Sequence, residues 1–403
     1  MANHITNLRM RIAVVTETYP PEINGVAMTI SRMVEGLRQR NVVELIRPRQ
    51  NSQDSAQLKL TLQEILVRGF PIPRYPGLKL GLPAKRALIK RWTNLRPDVV
   101  HIVTEGPLGS SALAAARKLG IPVSSDFHTN FHSYSQHYGF GLLQKTVAAY
   151  LRNLHNRTDT TLVPTQELRD TLAQDGYKNL QVVARGVDTA RFHPDKRSTE
   201  LRWQWGVADD DLVVIHVGRI SAEKNLPLVV HSFKAMQAYN PKLKLVLVGD
   251  GPVRAELQRQ NPEYIFAGMR TGDDLAAHYA SGDIFLFPSM TETYGNVTVE
   301  AMASGLAVVA YRYAAAAAHI RHEENGLHAE FGNEAEFVQL ACGLANDAAR
   351  VDKMRRQSHQ TMLKLDWQNI VDEFEQALAQ LALKQEVRHV TPNLQPATDP
   401  NLG

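Results

Sequence analysis

The 403-residue sequence contains a single cysteine, Cys342, so it cannot form an internal disulfide and suits a reducing compartment. No apolar run approaches the ~18 residues that a membrane-spanning helix needs. The amino end shows no charged-then-apolar leader, because an apolar strand pattern begins near Arg11. Aromatic residues make up only 7% of the chain, but 44% of its residues are hydrophobic, which excludes a disordered protein. We therefore expect a globular, cytoplasmic protein.

Acidic residues are scarce in the first half of the chain. Residues 1–200 carry 27 Lys and Arg against 16 Asp and Glu, whereas residues 201–403 carry 18 against 25. Residues 65–97, from Ile65 to Pro97, contain no acid. Part of this segment is interpreted as a basic amphipathic helix on an anionic membrane surface; the alternative is a solvated helix whose leucines pack inward. The cations of the segment are Arg68, Arg74, Lys79, Lys85, Arg86, Lys90, Arg91 and Arg96.

Leucines and cations also alternate at helical spacing in residues 142–157. The stripe consists of Leu143, Val147, Tyr150, Leu151 and Leu154, and the cations beside it are Lys145, Arg152 and Arg157. We interpret the stripe as part of a core rather than as a second membrane contact.

Short apolar strands alternate with helical patterns along the whole chain. This alternation predicts a parallel sheet with right-handed crossovers in each half. A chain of 403 residues exceeds one typical core and should form two domains. The apolar pattern breaks near GVDTARFHPDKRSTE, which predicts a hinge at 185–200 between domains 10–184 and 201–365. Strands are predicted near residues 11–16, 42–46, 99–103, 123–127, 161–164, 213–217, 243–248, 284–287 and 306–310.

Two glutamates, Glu292 and Glu300, lie in the run FPSMTETYGNVTVEAMASGLAVVA. Glu292 follows a predicted strand, and Glu300 falls in the helix that begins near Asn296. Ligands of open α/β sheets bind at the carboxyl ends of the strands, where the amides of Tyr294, Gly295 and Asn296 would form an anion site. Carboxylates beside an anion site fit a nucleotide sugar. Taken alone, each glutamate is more often a helix-dipole or capping residue.

A second phosphate-type pattern is HVGRISAEKNLPLVVHSF. Gly218 opens a turn after a buried strand, and Asn225 with Pro227 marks the start of a helix. Arg219 and Lys224 flank this loop. A planar arginine fork and a mobile lysine charge suit a diphosphate, whereas the alternative is a pair of ordinary solvated cations.

These segments resemble the donor domain of retaining glycosyltransferases of family 4, which have the GT-B fold. VGRISAEKN, LVLVGDGP, FAGM and the glutamate run carry the resemblance in the second half. In the first half it is carried by RIAVVTETYPPEINGVAMTISRMVEGL, PDVVHIVTEGPLG, SSDFHTNFHSY, HNRTDTTLVPT and GVDTARFHP. The resemblance covers about residues 10–383. It implies an α/β protein with two Rossmann-like, doubly wound domains facing a central cleft, a helix at 366–385 that crosses back to the first domain, and a loose tail at 386–403.

The resemblance also implies roles for individual residues. Arg219 and Lys224 are expected to hold the donor diphosphate. Glu300 is expected to bind the ribose hydroxyls, and Glu292 the hydroxyls of the transferred sugar. The implied catalytic residues are His128, Arg219, Lys224 and Glu292, and the implied donor-binding residues are Gly25, Gly218, Arg219, Lys224, Glu292, Tyr294, Gly295, Asn296 and Glu300.

Two further residues of the first half match the family pattern. One residue of the first half and one run of the second half depart from it. His128 matches a histidine near the donor sugar, and Gly25 matches a glycine that approaches the phosphates. Asn24 stands where the family commonly has a first glycine, and we expect it to adopt the left-handed conformation. The run AYRYAAAAAHI replaces a glycine-containing loop, without an assigned role.

The implied activity is transfer of a mannosyl-type or glucosyl-type hexose, with retention, from a nucleoside-diphosphate sugar to a lipid or glycan acceptor at the inner membrane surface. One alternative is a polysaccharide or lipopolysaccharide α-mannosyltransferase with a soluble glycan acceptor. Another is a GT-B epimerase or phosphorylase, and a third is a nonenzymatic sugar-nucleotide sensor. Anomeric configuration, free sugar and phosphorolysis distinguish these activities.

No cofactor, metal or nucleic-acid partner is expected. The spacings of His128, His132 and His137 define no zinc site, and the run 209–211 reads as a polar turn. Gly249-Asp250-Gly251 is only part of a dinucleotide fingerprint, so NAD binding is weakly supported.

Overall fold

The computed structural model describes residues 9–22, 24–71, 79–128, 141–208, 210–292 and 294–390. The described side chains exclude those of 141–144 and 385–390. His132, His137, Asp209 and residues 391–403 of the predicted tail lie outside the described residues.

The first sheet has eight strands in the order β10-β9-β8-β7-β1-β2-β4-β3. All of its pairings are parallel except β3 with β4, and β5 and β6 form a separate antiparallel pair. The strands are β1 (Arg11–Val15), β2 (Val42–Pro48), β3 (Leu58–Lys59), β4 (Leu62–Val67), β5 (Gly69–Pro71), β6 (Lys79–Gly81), β7 (Val99–Ile102), β8 (Val123–Asp126), β9 (Thr160–Val163) and β10 (Leu180–Val182).

Helices between these strands begin and end at residues suited to caps. The Asn24 side chain accepts a hydrogen bond from the Ala27 amide at the start of the first helix. The third helix starts with Pro107 and ends at Gly120, whose φ of 61° is left-handed. The helices are α1 (Gly25–Leu37), α2 (Lys85–Asn94), α3 (Pro107–Leu119), α4 (Gly141–His155) and α5 (Gln166–Gln174).

The second sheet has six parallel strands in the order β13-β12-β11-β14-β15-β16. This order reverses direction between β11 and β14, the point at which doubly wound sheets open a ligand crevice. The strands are β11 (Val213–Val217), β12 (Lys244–Val248), β13 (Ile265–Gly268), β14 (Ile284–Phe287), β15 (Ala307–Tyr311) and β16 (Leu327–Ala329).

Helices cover both faces of this sheet. The last helix begins after the chain has returned from the second sheet to the first. Short 3-10 turns occupy Pro194–Lys196, Ala222–Lys224 and Leu363–Leu365. The helices are α6 (Thr199–Gln204), α7 (Leu226–Tyr239), α8 (Arg254–Gln260), α9 (Gly272–Ser281), α10 (Asn296–Ala303), α11 (Ala314–His319), α12 (Glu334–Cys342), α13 (Ala348–Met362) and α14 (Trp367–Val390).

Apolar strands supply the core on both faces of each sheet. In β11, Val213 and Ile215 join one buried cluster, and Val214 joins the cluster on the opposite face. Such continuous burial is typical of parallel strands covered by helices on both sides. The predicted fold class, with two doubly wound α/β units, is confirmed.

The chain passes between the two sheets twice, and the two passages lie side by side. The Val187 amide donates to the Leu365 carbonyl at 2.9 Å. A Cβ placed on Gly186 would lie 2.7 Å from the Trp367 ring, so this close approach requires glycine. Beyond Trp367, helix α14 packs Phe374 into the core of the first sheet.

Two local expectations meet a different structure. Asn24 is extended, with φ −150° and ψ 164°, so the expected left-handed turn is wrong: the residue acts as the cap of α1 instead.

In α2, Leu88 and Trp92 are buried. Trp92 Nε1 donates to Glu44 Oε1 at 2.9 Å. The inward-packed alternative therefore describes α2, whose solvent face carries cations rather than an apolar stripe.

In helix α4, Leu151 and Leu154 are buried, as interpreted from the sequence, whereas Tyr150 of the same stripe is 43% exposed. Among the described residues, no helix is both long and apolar enough to cross a membrane.

Replacing Phe374 with alanine should destabilise the first half of the molecule. Phe374 is fully buried, and its ring meets the His101 ring edge-on at 4.8 Å. Loss of a buried phenylalanine costs about 3–5 kcal/mol of unfolding free energy. Urea denaturation followed by circular dichroism should show an earlier transition. The control is Gln376→Ala, an exposed position on the same helix; equal midpoints for the two variants would contradict the packing.

Candidate active site

The loop after β11 lies against the loop after β12. The Ile220 amide donates to the Asp250 carbonyl at 2.9 Å. A Cβ on Gly249 would lie 1.9 Å from the Gly218 carbonyl oxygen, and one on Gly251 would lie 2.2 Å from that of Ile220. The glycines of Gly249-Asp250-Gly251 thus permit two loops to pack closely, which accounts for this partial fingerprint.

Lys224 and Glu292 form an ion pair across the switch point of the second sheet. Lys224 Nζ contacts Glu292 Oε1, and the two side chains are each 17% exposed. Ser289 Oγ donates to the same carboxylate oxygen at 2.7 Å. Lys224 Nζ also lies 5.6 Å from the centroid of the Phe287 ring. A cation and a carboxylate are therefore held together where the loops after β11 and β14 meet.

Arg219 lies farther out, at the rim of the site. Its side chain is 61% exposed, and Nη1 is 3.5 Å from Glu223 Oε1. Exposed ion pairs of this kind contribute little stability, so the guanidinium is easily redirected to a ligand. The structure thus brings Lys224 together with Glu292 and leaves Arg219 at the edge.

The loop before α10 supplies amides, and α10 itself supplies the second glutamate. Gly295 has φ 89°, a left-handed conformation that favours glycine at the start of the helix. Glu300 Oε2 accepts a hydrogen bond from Tyr279 Oη at 3.0 Å. Burial raises the pKa of the Glu300 carboxyl to about 7, and the Tyr279 hydrogen bond opposes that rise. Glu300 can therefore change protonation near neutral pH.

The first half reaches the same cleft through Gly25. A Cβ on Gly25 would lie 3.5 Å from Asn296 Nδ2, so the starts of α1 and α10 approach one another. The predicted donor-binding residues Gly25 and Asn296 are therefore brought together from opposite halves.

His128 follows strand β8 and belongs to a charged cluster. Its Nε2 is 3.0 Å from Asp126 Oδ2, and His101 Nε2 is 3.3 Å from the same oxygen. Arg185 Nη2 approaches His128 Nδ1 at 2.5 Å. Burial works against ionisation of Asp126, but His101 and His128 hold its pKa below the usual range. Burial lowers the pKa of His128, and Arg185 adds to that lowering against the opposing effect of Asp126.

The run AYRYAAAAAHI forms hydrogen bonds to the loop that carries Glu292. Tyr313 Oη donates to the Glu292 carbonyl at 2.6 Å, and the Ala315 amide donates to the Tyr294 carbonyl at 2.7 Å. His319 Nε2 lies 3.0 Å from Tyr294 Oη, and burial lowers the pKa of His319 to about 4. This replacement for a glycine loop therefore fixes the backbone on both sides of the predicted site.

Sequence reasoning missed several residues of the site. Arg185 directly precedes the GVD run that marked the hinge, and Tyr279 lies at helical spacing within α9. Ser289 follows β14 by two residues. Only the position of Ser289, at the carboxyl end of a strand, gave a signal that sequence reasoning could have used. In the described part of the chain, no three His, Cys, Asp or Glu side chains converge as metal ligands.

The chain matches two family models in tandem: "Glycosyltransferase Family 4" over residues 23–191 and "Glycosyl transferases group 1" over residues 211–347. It is 35% identical over 306 residues to a GDP-mannose-dependent alpha-mannosyltransferase of Mycolicibacterium smegmatis, covering 75% of this chain and 79% of that protein. It is 29% identical over 315 residues to an alpha-monoglucosyldiacylglycerol synthase of Streptococcus pneumoniae, covering 75% and 71%.

Among solved structures, the Anabaena protein HepE in complex with UDP and glucose has a similar fold. The TM-score is 0.70 at 21% sequence identity, with 92% of this chain and 100% of that chain covered. The likeness confirms the predicted GT-B fold. The two family matches and the 35% identity to the relative from Mycolicibacterium smegmatis show that the chain belongs to glycosyltransferase family 4.

Proposed function

We propose that the protein transfers a hexosyl group, with mannose from GDP-mannose as the first choice, to a lipid or glycan acceptor with retention of configuration. The observation that carries the proposal is the Lys224–Glu292 pair, with Glu300 on the adjoining helix. A cation suits the diphosphate, and the two carboxylates suit sugar hydroxyls. The relative from Mycolicibacterium smegmatis favours GDP-mannose; the one from Streptococcus pneumoniae makes a glucosyl donor and a diacylglycerol acceptor the second choice.

Departure of the nucleoside diphosphate is the step that the site assists. Lys224, Arg219 and the amides near Gly295 stabilise the negative charge that grows on the diphosphate. Each preorganised donor of this kind contributes about 2.7–4 kcal/mol to transition-state stabilisation. These groups take the place of a metal ion in the proposal, and the reaction uses no cofactor because the nucleotide sugar is a substrate.

Retention follows from attack on the face that the leaving group vacates. Glu292 is held by Lys224, and Glu300 accepts from Tyr279, so neither carboxylate is assigned as a nucleophile. The acceptor hydroxyl attacks an ion-pair intermediate, and its proton passes to the departing phosphate. The bond between the anomeric carbon and the phosphate oxygen breaks first to give the ion pair, and the bond from the acceptor oxygen to that carbon then forms.

Closure of the two halves completes the site. His128 and Gly25 come from the first half, whereas Lys224 and Glu292 come from the second. We assign residues 185–200 as the hinge, because the paired crossings lie there and at Leu365. Movement about this hinge excludes water from the reacting carbon.

The basic face of α2 is proposed as the membrane contact. Lys85, Arg86 and Lys90 are exposed, while the large side chains of Leu88 and Trp92 are buried, so the proposed attraction is electrostatic. Each such cation contributes about 1 kcal/mol near an anionic surface. In this proposal the protein acts in the cytoplasm, on the inner face of the membrane.

Incubation with GDP-mannose and a diacylglycerol or glycan acceptor should give an alpha-linked mannoside. The measurement is the anomeric coupling in the NMR spectrum of the product, with UDP-glucose as the comparison donor. An inverted linkage contradicts retention. Release of free sugar or of an epimerised nucleotide sugar without transfer supports the epimerase alternative, and binding without turnover supports the sensor.

Reversing the charges of Lys85, Arg86 and Lys90 to glutamate should abolish binding to vesicles that contain phosphatidylglycerol. Wild-type binding should weaken as salt rises, because exposed charges are screened. Co-sedimentation with anionic and zwitterionic vesicles measures this. The matched control reverses three exposed cations of the second half, Lys234, Lys242 and Arg259; equal loss in both triple variants, or salt-independent binding, would refute the surface.

Affinity for GDP should rise between pH 6 and pH 8 through ionisation of Glu300. The pKa of its carboxyl is raised to about 7, so the group is mostly protonated at pH 6 and ionised at pH 8. Ribose hydroxyls bind the carboxylate, so affinity increases by up to about tenfold as pH rises through 7. Calorimetry should show this increase in the wild type and not in Glu300→Gln. Both proteins bind the same diphosphate. If their affinities for GDP changed with pH in parallel, Glu300 would be excluded as the source of the pH dependence.

A further inference from the structure

Arg185 touches both halves of the molecule at once. The side chain is buried, at 8% exposure, where the chain leaves the first sheet. Its Nη2 is 2.5 Å from His128 Nδ1 in the first half. Its guanidinium carbon lies 5.7 Å from the centroid of the Tyr294 ring in the second half, and its carbonyl accepts a hydrogen bond from Tyr294 Oη at 3.0 Å.

These contacts determine where the hydrogen of the His128 ring lies. A guanidinium has only hydrogen-bond donors and stays protonated in proteins. His128 Nδ1 must therefore accept from Arg185, which leaves the ring hydrogen on Nε2. That nitrogen faces Asp126 Oδ2 at 3.0 Å, and a carboxylate accepts. Arg185 at Nδ1 thus sets the ring as the neutral Nε2–H tautomer, with the Asp126 carboxylate facing Nε2.

We propose that Arg185 is a positioning residue for glycosyl transfer: it holds His128 in one tautomer and orientation and joins it to the Tyr294 loop that carries Glu292. The inference rests on the proposed function. Both ring nitrogens of His128 are engaged with protein groups, so the imidazole is not set to exchange a proton with the donor. Its place against the sugar, and the distance between the halves, depend on Arg185.

The surroundings explain why a cation is needed at this point. Asp126 alone would favour a doubly protonated His128, and Arg185 opposes this. Without the guanidinium, the Nδ1 lone pair loses its donor and the ring is free to gain a second hydrogen. The other charged or titratable groups around His128 and Arg185 are His101 from β7, Glu105 before α3, Tyr294 before α10 and His319 from α11.

The first test compares Arg185→Met, Arg185→Lys and Arg32→Met by steady-state kinetics. Arg32 pairs with Asp188 at 2.7 Å, joining α1 to the hinge without contacting His128. Arg185→Met should lower kcat about 10- to 100-fold, since small misplacements at a reacting centre have effects of this size. The KM for the donor should stay unchanged. Arg185→Lys should recover part of the rate, because lysine still donates, and Arg32→Met should keep kcat.

The pH dependence separates positioning from simple structural support. Removal of the neighbouring Arg185 cation raises the pKa of His128, because that cation lowers it in the wild type. The acidic limb of the kcat profile should therefore move to higher pH in Arg185→Met, with no shift in Arg32→Met. A lowered melting temperature with an unmoved kcat profile would reduce Arg185 to a structural residue and overturn the proposal.

Nitrogen-15 NMR of histidine-labelled protein tests the tautomer without any transfer reaction. The His128 signal is assigned by its loss in His128→Gln. The wild type should show the Nε2–H form from pH 6 to pH 8, and Arg185→Met and Arg185→Lys should shift its titration to different extents. An Nδ1–H form of His128 in the wild type overturns the proposal. If Arg185→Met does not fold, an unchanged titration of His128 in Arg185→Lys overturns it as well. Absence of sugar transfer by the wild type refutes the proposed function alone, because the NMR result still decides the tautomer.

Discussion

The ion pair between Lys224 and Glu292 is the interaction on which the site depends. Two charges with 17% exposure each are costly to leave unpaired in a partly buried cleft. Their meeting follows from topology, because Lys224 comes after β11 and Glu292 after β14, and these strands are neighbours where the sheet order reverses. A donor that carries phosphate oxygens and sugar hydroxyls offers each charge a replacement partner, which explains why this ligand class fits.

Contacts in the rest of the fold connect the core of the first half to the cleft that contains this ion pair. Helix α14 returns to the first sheet and places Phe374 against His101, whose ring is 3.3 Å from Asp126. Asp126 in turn contacts His128, and Arg185 ties His128 to the second half. A chain of contacts thus runs from an apolar core to the cleft.

Sequence patterns predicted the elements that are apolar and sharply bounded. Strands β11 and β14 match their predicted residues, since Gly218 and Pro288 end the apolar runs. Strands β3, β5 and β6 were missed because each has only two or three residues and most of these residues are not buried. The Arg185–His128 contact spans 57 residues of sequence, so no local period could reveal it. Asn24 was misread because asparagine serves both left-handed turns and helix caps.

Turnover of Lys224→Ala at saturating donor is the most direct test of the central claim, that fixed cations of the protein stabilise the departing diphosphate. The account predicts a fall in kcat of about 100-fold, while Lys234→Ala, an exposed lysine on α7, keeps wild-type turnover. Circular dichroism confirms that both variants are folded. Unchanged turnover in Lys224→Ala would contradict the account.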